Sequence, residues 1–324
     1  MVFEAPPAQA VHAWMPSSPC GPGCVDTATE VGTARVFGRV LGAAGLLVSY
    51  PLLNGATPRR WREGLQRRYA HAVLDCLGIE LRIVDERPQP QRGYAEPGRG
   101  VLIVAGHVSW ADIVVMAAVQ PLGFVARADM LDWPVLGGLA ERLRVIPIER
   151  ERLRELPGVV DELGARLAAG DRIAAFPEGT TWCGRAYGRM RPALFQAAVD
   201  TGTAVQPIRL RYLDQNEKQC TTPGFVGEDT FGDSVKRVLR SRGLVAEVVL
   251  LPQEAPGLDR RDLARRCEHA VRGADRSRHG GEWIEASTTR VQDPLPVDPA
   301  PLPLDRRGLR GRAATILRRR STHA

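Results

Sequence analysis

His107 and Asp112 stand five positions apart inside VLIVAGHVSWADIVVMA, residues 101–117, a run otherwise dominated by apolar side chains. An ionisable group in such a run is costly to desolvate unless it is paired. The local pattern offers the pairing: an apolar strand ends at Ala105 and Gly106, Ser109 precedes a helical run, and Asp112 falls in that helix's first turn. A strand-to-helix corner exposes side chains at the carboxyl edge of a sheet, where open α/β folds place their sites. There a carboxylate can accept the Nδ1 proton of the imidazole and fix its tautomer, leaving Nε2 to face a cleft as a general base. Helix capping with mutual satisfaction would also bring the two together, so the pair alone does not define a site.

Two further groups could complete one. In AAFPEGTTWCG, residues 174–184, an apolar strand runs into Pro177, Glu178, Gly179, Thr180 and Thr181. Gly179 permits close backbone approach, and the two hydroxyls with nearby amides can hold an anionic or polyol oxygen. Glu178 at the strand exit needs a partner, either substrate hydroxyls or a nearby arginine. As a bare turn the segment is unremarkable. Arg127, Arg150 and Arg191 each fall at or just beyond the end of an expected strand or loop. Converging on one sheet edge they would bind phosphate bidentately; taken singly they are solvated surface arginines.

The elements that must position these groups alternate from about residue 79. Strands are expected at 79–85, 101–106, 123–127, 144–149, 171–179, 204–212 and 246–251, and helices near 109–120, 131–142, 153–169, 190–201 and 259–273. This alternation predicts an α/β domain over 79–275, a mixed, largely parallel sheet with helices on both faces. Ahead of it, 31–78 reads as a membrane-associating helical segment. VFGRVLGAAGLLVSYPLL, residues 36–53, is interrupted by Arg39, stopped by Pro51 and short of the roughly 20 clean apolar residues of a spanning helix. It reads as a re-entrant or interfacial helix. The basic amphipathic stretch 58–79 follows it, a membrane-surface anchor or else a flap on the protein's own core.

Residues 1–30 are rich in Pro and Gly and read as disordered; 276–324 reads as a disordered basic tail. The 324-residue chain carries +7, of which 305–320 supplies +6, so the body is nearly neutral and the basic signal belongs to the tail. That tail could touch anionic lipid headgroups or simply be solvated. The six cysteines share no repeated spacing. Cys20 and Cys24 in PCGPGC lack a second ligand pair or a histidine at finger spacing, so they read as incidental thiols and no metal site is expected. No secretory signal is recognisable at the start, which points to a catalytic body on the cytoplasmic face of the cell membrane, peripheral or monotopic.

GHVSWAD, FVARADMLDWPVLGGLAERLRVIPIER, FPEGTT and VQPIRLRY occur in this order over residues 101–212. Together they resemble the lysophosphatidic-acid-type glycerolipid acyltransferases, whose first block is a His-x4-Asp signature. The resemblance implies a glycerol-3-phosphate acyltransferase-like fold. It implies His107 as the general base toward a glycerol hydroxyl, with Asp112 as its orienter, and Arg150 as the phosphate-binding arginine. Glu178, Gly179, Thr180 and Thr181 would form the acceptor-binding turn, and Pro207 would mark the block shaping the acyl side. The chain departs from the family's usual residues at Arg127, Arg144, Thr181 and Pro192, departures that bear on the acceptor and not on the reaction type.

The implied reaction moves an acyl group from acyl-CoA or acyl carrier protein to the free hydroxyl of a lysophospholipid, foremost 1-acyl-glycerol-3-phosphate, at a membrane surface. No cofactor and no specific nucleic acid are expected. A lyso-aminolipid or glycolipid intermediate is the alternative acceptor. A hydrolase would need a nucleophile elbow, and no G-x-S-x-G occurs. A non-catalytic membrane-binding module would leave His107, Asp112 and FPEGTT unexplained.

Overall fold

A computed structural model of the chain describes residues 15–27, 29–129, 145–150, 152–273, 278–279 and 282–283. These belong to a compact unit spanning Met1–Ala286; Ser287–Ala324 forms a second unit outside the described residues. The expected helix at 131–142, Arg144 and the Arg-rich tail therefore lie outside them as well.

The core is organised around β2 (Val101–Val104), a strand with every residue buried. Val101 and Ile103 join one apolar layer and Leu102 and Val104 the other. A strand covered on both faces has no polar side to show, which is why VLIV runs without alternation. Around it lie β1 (Ile79–Asp85), β3 (Gly123–Arg127), β4 (Ile146–Ile148), β5 (Arg172–Ala175), β6 (Val205–Leu213) and β7 (Leu244–Leu250). The sheet order is β1-β7-β6-β2-β5-β3-β4, with β6 and β7 antiparallel and every other pair parallel. The expected mixed, largely parallel sheet is the one observed.

One face is covered by α2 (Arg59–Leu77), α3 (Ala111–Val119) and α6 (Phe231–Arg240), which contribute Leu74, Met116 and Val238 among others. The other is covered by α4 (Leu156–Ala168), α5 (Phe195–Thr201) and α7 (Arg260–Arg272), through Leu163, Phe195 and Leu263. Because β2, β3, β4 and β5 are mutually parallel, their carboxyl ends share one edge, and GHVSWAD, Arg127, Arg150 and FPEGTT all leave from it.

Several expectations are corrected. The apolar stretch does not stop at Pro51: α1 is one helix, Thr33–Ala56, with the proline inside it. It is long and apolar enough to cross a membrane, and none of it is buried. Arg39 does not break the helix because its guanidinium leaves the apolar surface and donates to the carbonyls of Leu239 (2.7 Å) and Ser241 (2.8 Å), capping the end of α6. The basic helix α2 buries Ala70, Leu74 and Leu77 on the core while Trp61 stays exposed, so its second half is a flap on the protein itself. Within the expected disordered 1–30, residues 15–27 pack on the body: Cys20 is buried, and Asp26 pairs with Arg185 at 2.7 Å and accepts the Thr221 N–H. The expected tail begins with a short antiparallel pair, β8 (Arg278–His279) and β9 (Glu282–Trp283).

Candidate active site

β2 ends at Val104, and the next helical residue is Ala111, so His107 sits on the corner between them. Its Nδ1 lies 2.9 Å from Asp112 Oδ2. That carboxylate is fully buried, yet it is not isolated. Oδ2 also accepts the N–H groups of Val108 (2.8 Å) and Ser109 (3.0 Å), and Oδ1 accepts the hydroxyl of Tyr212 (2.7 Å). Asp112 is in the first turn of α3, where the helix dipole also favours an anion. With Asp112 held as an acceptor, Nδ1 must carry the proton and Nε2 is left with its lone pair. The imidazole ring stacks on Phe176, centroids 3.9 Å apart and planes 12° from parallel. Ser109 is buried with its hydroxyl accepting the Ala111 N–H, a helix-start role.

The turn after β5 is built to brace this corner. Pro177 ends the strand and Gly179 closes the turn, its N–H reaching the Phe176 carbonyl at 3.0 Å. At φ +78° Gly179 occupies left-handed backbone, and a Cβ there would lie 2.7 Å from Pro16 Cγ, so both conformation and space demand glycine. Trp182 N–H donates to the His107 carbonyl at 2.7 Å. Thr181 spends its hydroxyl proton on the Phe225 carbonyl and so ties two loops together rather than offering a donor to a substrate. Among the described residues the Thr180 hydroxyl has no partner, which leaves it available.

Glu178, expected in the acceptor-binding turn, also reaches the backbone of the His107 corner. Its side chain is buried, and its Oε2 accepts the His107 backbone N–H at 3.0 Å. Arg272 Nη2 is its nearest cation, 4.0 Å from Oε1. Burial pushes its carboxyl up to about 8, against the pull of the His107 N–H and of Arg272. Pro207, in β6 beside Val104 of β2, is buried and without an N–H to give; its carbonyl accepts Gln206 Nε2 and the Leu251 N–H.

Arg150 feels the charges of the other two arginines. Burial lowers Arg150 to about 10, and the charges of Arg127 and Arg191 push the same way while Asp129 opposes them. Arg127, at the end of β3, holds Asp129 with a two-pronged contact of 2.8 and 2.6 Å. Arg191 is exposed, its backbone N–H bound to the Pro177 carbonyl and its Cδ beside Gly179.

Tyr212, Phe176, Trp182 and Arg272 were not singled out from the sequence. Tyr212 and Phe176 carried a signal, each an aromatic at the end of a strand flanking the His107 strand.

An acyltransferase family model matches residues 81–211. The lyso-ornithine lipid O-acyltransferase of Pseudomonas aeruginosa is 33% identical over 248 residues, covering 74% of this chain and 90% of that protein. The 1-acyl-sn-glycerol-3-phosphate acyltransferase of Neisseria gonorrhoeae is 33% identical over 207 residues, 63% of this chain and 76% of that protein. Among solved structures the fold resembles the 1-acyl-sn-glycerophosphate acyltransferase of Thermotoga maritima, with a TM-score of 0.55 at 14% identity over 74% of this chain and 92% of that one. Relatives of this similarity and coverage place the chain in the lysophospholipid acyltransferase family, as an O-acyltransferase of lipid biosynthesis.

Proposed function

We propose that the chain transfers an acyl group from a thioester, acyl-CoA or acyl carrier protein, to the free hydroxyl of 1-acyl-glycerol-3-phosphate, giving phosphatidic acid. His107 Nε2 takes the hydroxyl proton as the oxygen attacks the thioester carbonyl, and Asp112 stabilises the imidazolium through Nδ1–H. The tetrahedral intermediate collapses with cleavage of the C–S bond, and the imidazolium returns its proton to the departing thiolate. No acyl-enzyme forms, because the attacking group belongs to the acceptor. The amides of Thr180 and Thr181, which donate to nothing among the described residues, are our candidates for the oxyanion.

The observation that supports a phosphate acceptor is the gathering of Arg127 and Arg191 close enough for their charges to act on Arg150. A phosphate monoester bears about −1.5 to −2 at neutral pH and suits several guanidinium groups at once. Lyso-ornithine lipid is the second reading, favoured by the fuller coverage of the relative with that name. Its headgroup pairs a carboxylate with an ammonium and supplies no net charge. We place the reaction at the cytoplasmic face of the membrane, where α1 and Trp61 present exposed apolar side chains.

The test is acyl transfer by the purified full chain in detergent, with each acceptor against each donor and His107→Ala as blank. Faster turnover of the phosphate acceptor supports the proposal; transfer to lyso-ornithine lipid alone replaces the acceptor and keeps the reaction. Release of free acid without any acceptor at the transfer rate would make the protein a hydrolase.

A further inference from the structure

The N-terminal cysteines acquire a partner that their spacing does not reveal. Cys20, Cys24 and Cys183 gather with their sulfurs all within 4.8 Å of one another. Cys20 and Cys183 are buried, and Val25, Trp182, Ala186 and Val226 pack around them. A short 3₁₀ turn, Pro22–Cys24, with the Cys24 N–H bound to the Gly21 carbonyl, folds the CGPGC loop so that both its thiols face the third. A backbone N–H points at one of the sulfurs, Cys183 N–H to Cys20 Sγ at 3.4 Å. N–H donors aimed at sulfur stabilise thiolate, the form that binds metal.

We infer that Cys20, Cys24 and Cys183 form a zinc site that clips residues 15–27 over the turn beside His107. Three thiolates suit a soft-binding divalent ion, and Zn²⁺ takes them without a redox step. Zn–S bonds of about 2.3 Å set tetrahedral sulfurs roughly 3.8 Å apart, so the observed group needs only a small contraction. Each thiol releases its proton to solvent as its Zn–S bond forms, and a water molecule completes the tetrahedron. The rest of the segment is already docked: Asp26 pairs with Arg185, and Gly227 at φ +64° lets Gly21 Cα approach where a Cβ would stand 3.3 Å away. The consequence reaches the site through two short links. Cys183 adjoins Trp182, whose N–H holds the His107 carbonyl, and Pro16 lies on Gly179. The ion would therefore be structural, closing a strap over FPEGTT.

The experiment needs no acyl transfer. The full chain, purified anaerobically under reducing conditions, is assayed for zinc by elemental mass spectrometry, and the stripped protein is titrated with Co²⁺. A single equivalent of zinc, with thiolate-to-cobalt charge-transfer and tetrahedral d–d absorption, is the expected result. Cys20→Ser, Cys24→Ser and Cys183→Ser should each lose the charge-transfer band or weaken it, whereas Cys76→Ser keeps it. Chelation should raise the rate of proteolytic cleavage within residues 15–27. Wild-type protein that takes up neither ion in competition with a weak chelating dye overturns the proposal, as does a Cys20–Cys183 disulfide persisting under reduction. The cobalt spectrum of the unaltered chain keeps the test valid even if a serine variant fails to fold.

Discussion

Tyr212 donates its hydroxyl to the Oδ1 of Asp112 at 2.7 Å, from a strand a hundred residues downstream. The contact decides how Asp112 presents itself: with Oδ1 held by Tyr212, Oδ2 is turned to His107 Nδ1. Burial, and then the Asp112 charge, push the phenol well above its usual range, so it remains a donor at any working pH.

Tyr212→Phe therefore removes one of four hydrogen bonds to a buried carboxylate and leaves Oδ1 without a donor. We expect a stability loss of about 1.5–3 kcal/mol in urea denaturation, the usual scale for a hydrogen bond to a charged group. We also expect kcat to fall more than KM changes, because Tyr212 acts through Asp112 and does not touch the acceptor. Unaltered kcat would show that the other three donors hold Asp112 unaided.

Asp112→Asn tests the orienter itself. The amide keeps the shape but removes the charge that stabilises an imidazolium, and its NH₂ opposes at least one of the four donors around it. Activity should drop by about 10²–10⁴-fold, comparable to His107→Ala, since the two work as one unit. The double variant should be little worse than either single one. Additive losses in steady-state kinetics would separate their roles.

The strands and the His107 corner were legible because their signal is local. VLIV is continuous because both faces are covered, and GHVSWAD marks the strand exit within seven residues. What escaped depends on distant chain. The contact of Glu178 with the His107 N–H spans 71 residues, and Cys183 lies 163 residues from Cys20. The Pro/Gly-rich start reads as disorder because composition reports what a segment can bury alone, while residues 15–27 are held by a surface made elsewhere. Helix α6 was missed at ten residues with Gly232 near its start, although its Thr230 cap to the Asp233 N–H is a local signal.

Glu178 makes stability depend on pH in a predictable direction. Its carboxyl is raised by burial from 4.5 to about 8 in the folded chain. Below about pH 4.5 it is protonated in both states and contributes no difference. Between there and about 8 the unfolded chain ionises while the folded one holds its proton, so this group's contribution to stability falls as pH rises, and levels off above. Glu178→Gln keeps a hydrogen-bond acceptor for His107 N–H and cannot ionise. Urea midpoints from pH 5 to 8 should decline less steeply in the variant than in the wild type; parallel curves would mean that the carboxylate is ionised throughout.

On the proposed function, Arg150 separates acceptor binding from chemistry. It is lowered to about 10 by burial and by the charges of Arg127 and Arg191, while Asp129 opposes them. Arg150→Ala should raise KM for 1-acyl-glycerol-3-phosphate by roughly 10–100-fold, matching about 1.5–3 kcal/mol for a charge-assisted contact. Since the phosphate lies away from the reacting hydroxyl, kcat should change little. Arg150→Lys should recover only part of the loss, because an ammonium cannot grip two phosphate oxygens with a planar fork. The same variant assayed with lyso-ornithine lipid should show a smaller change in KM. Equal KM changes for both acceptors would assign Arg150 to a carboxylate or to the thioester donor instead of the phosphate.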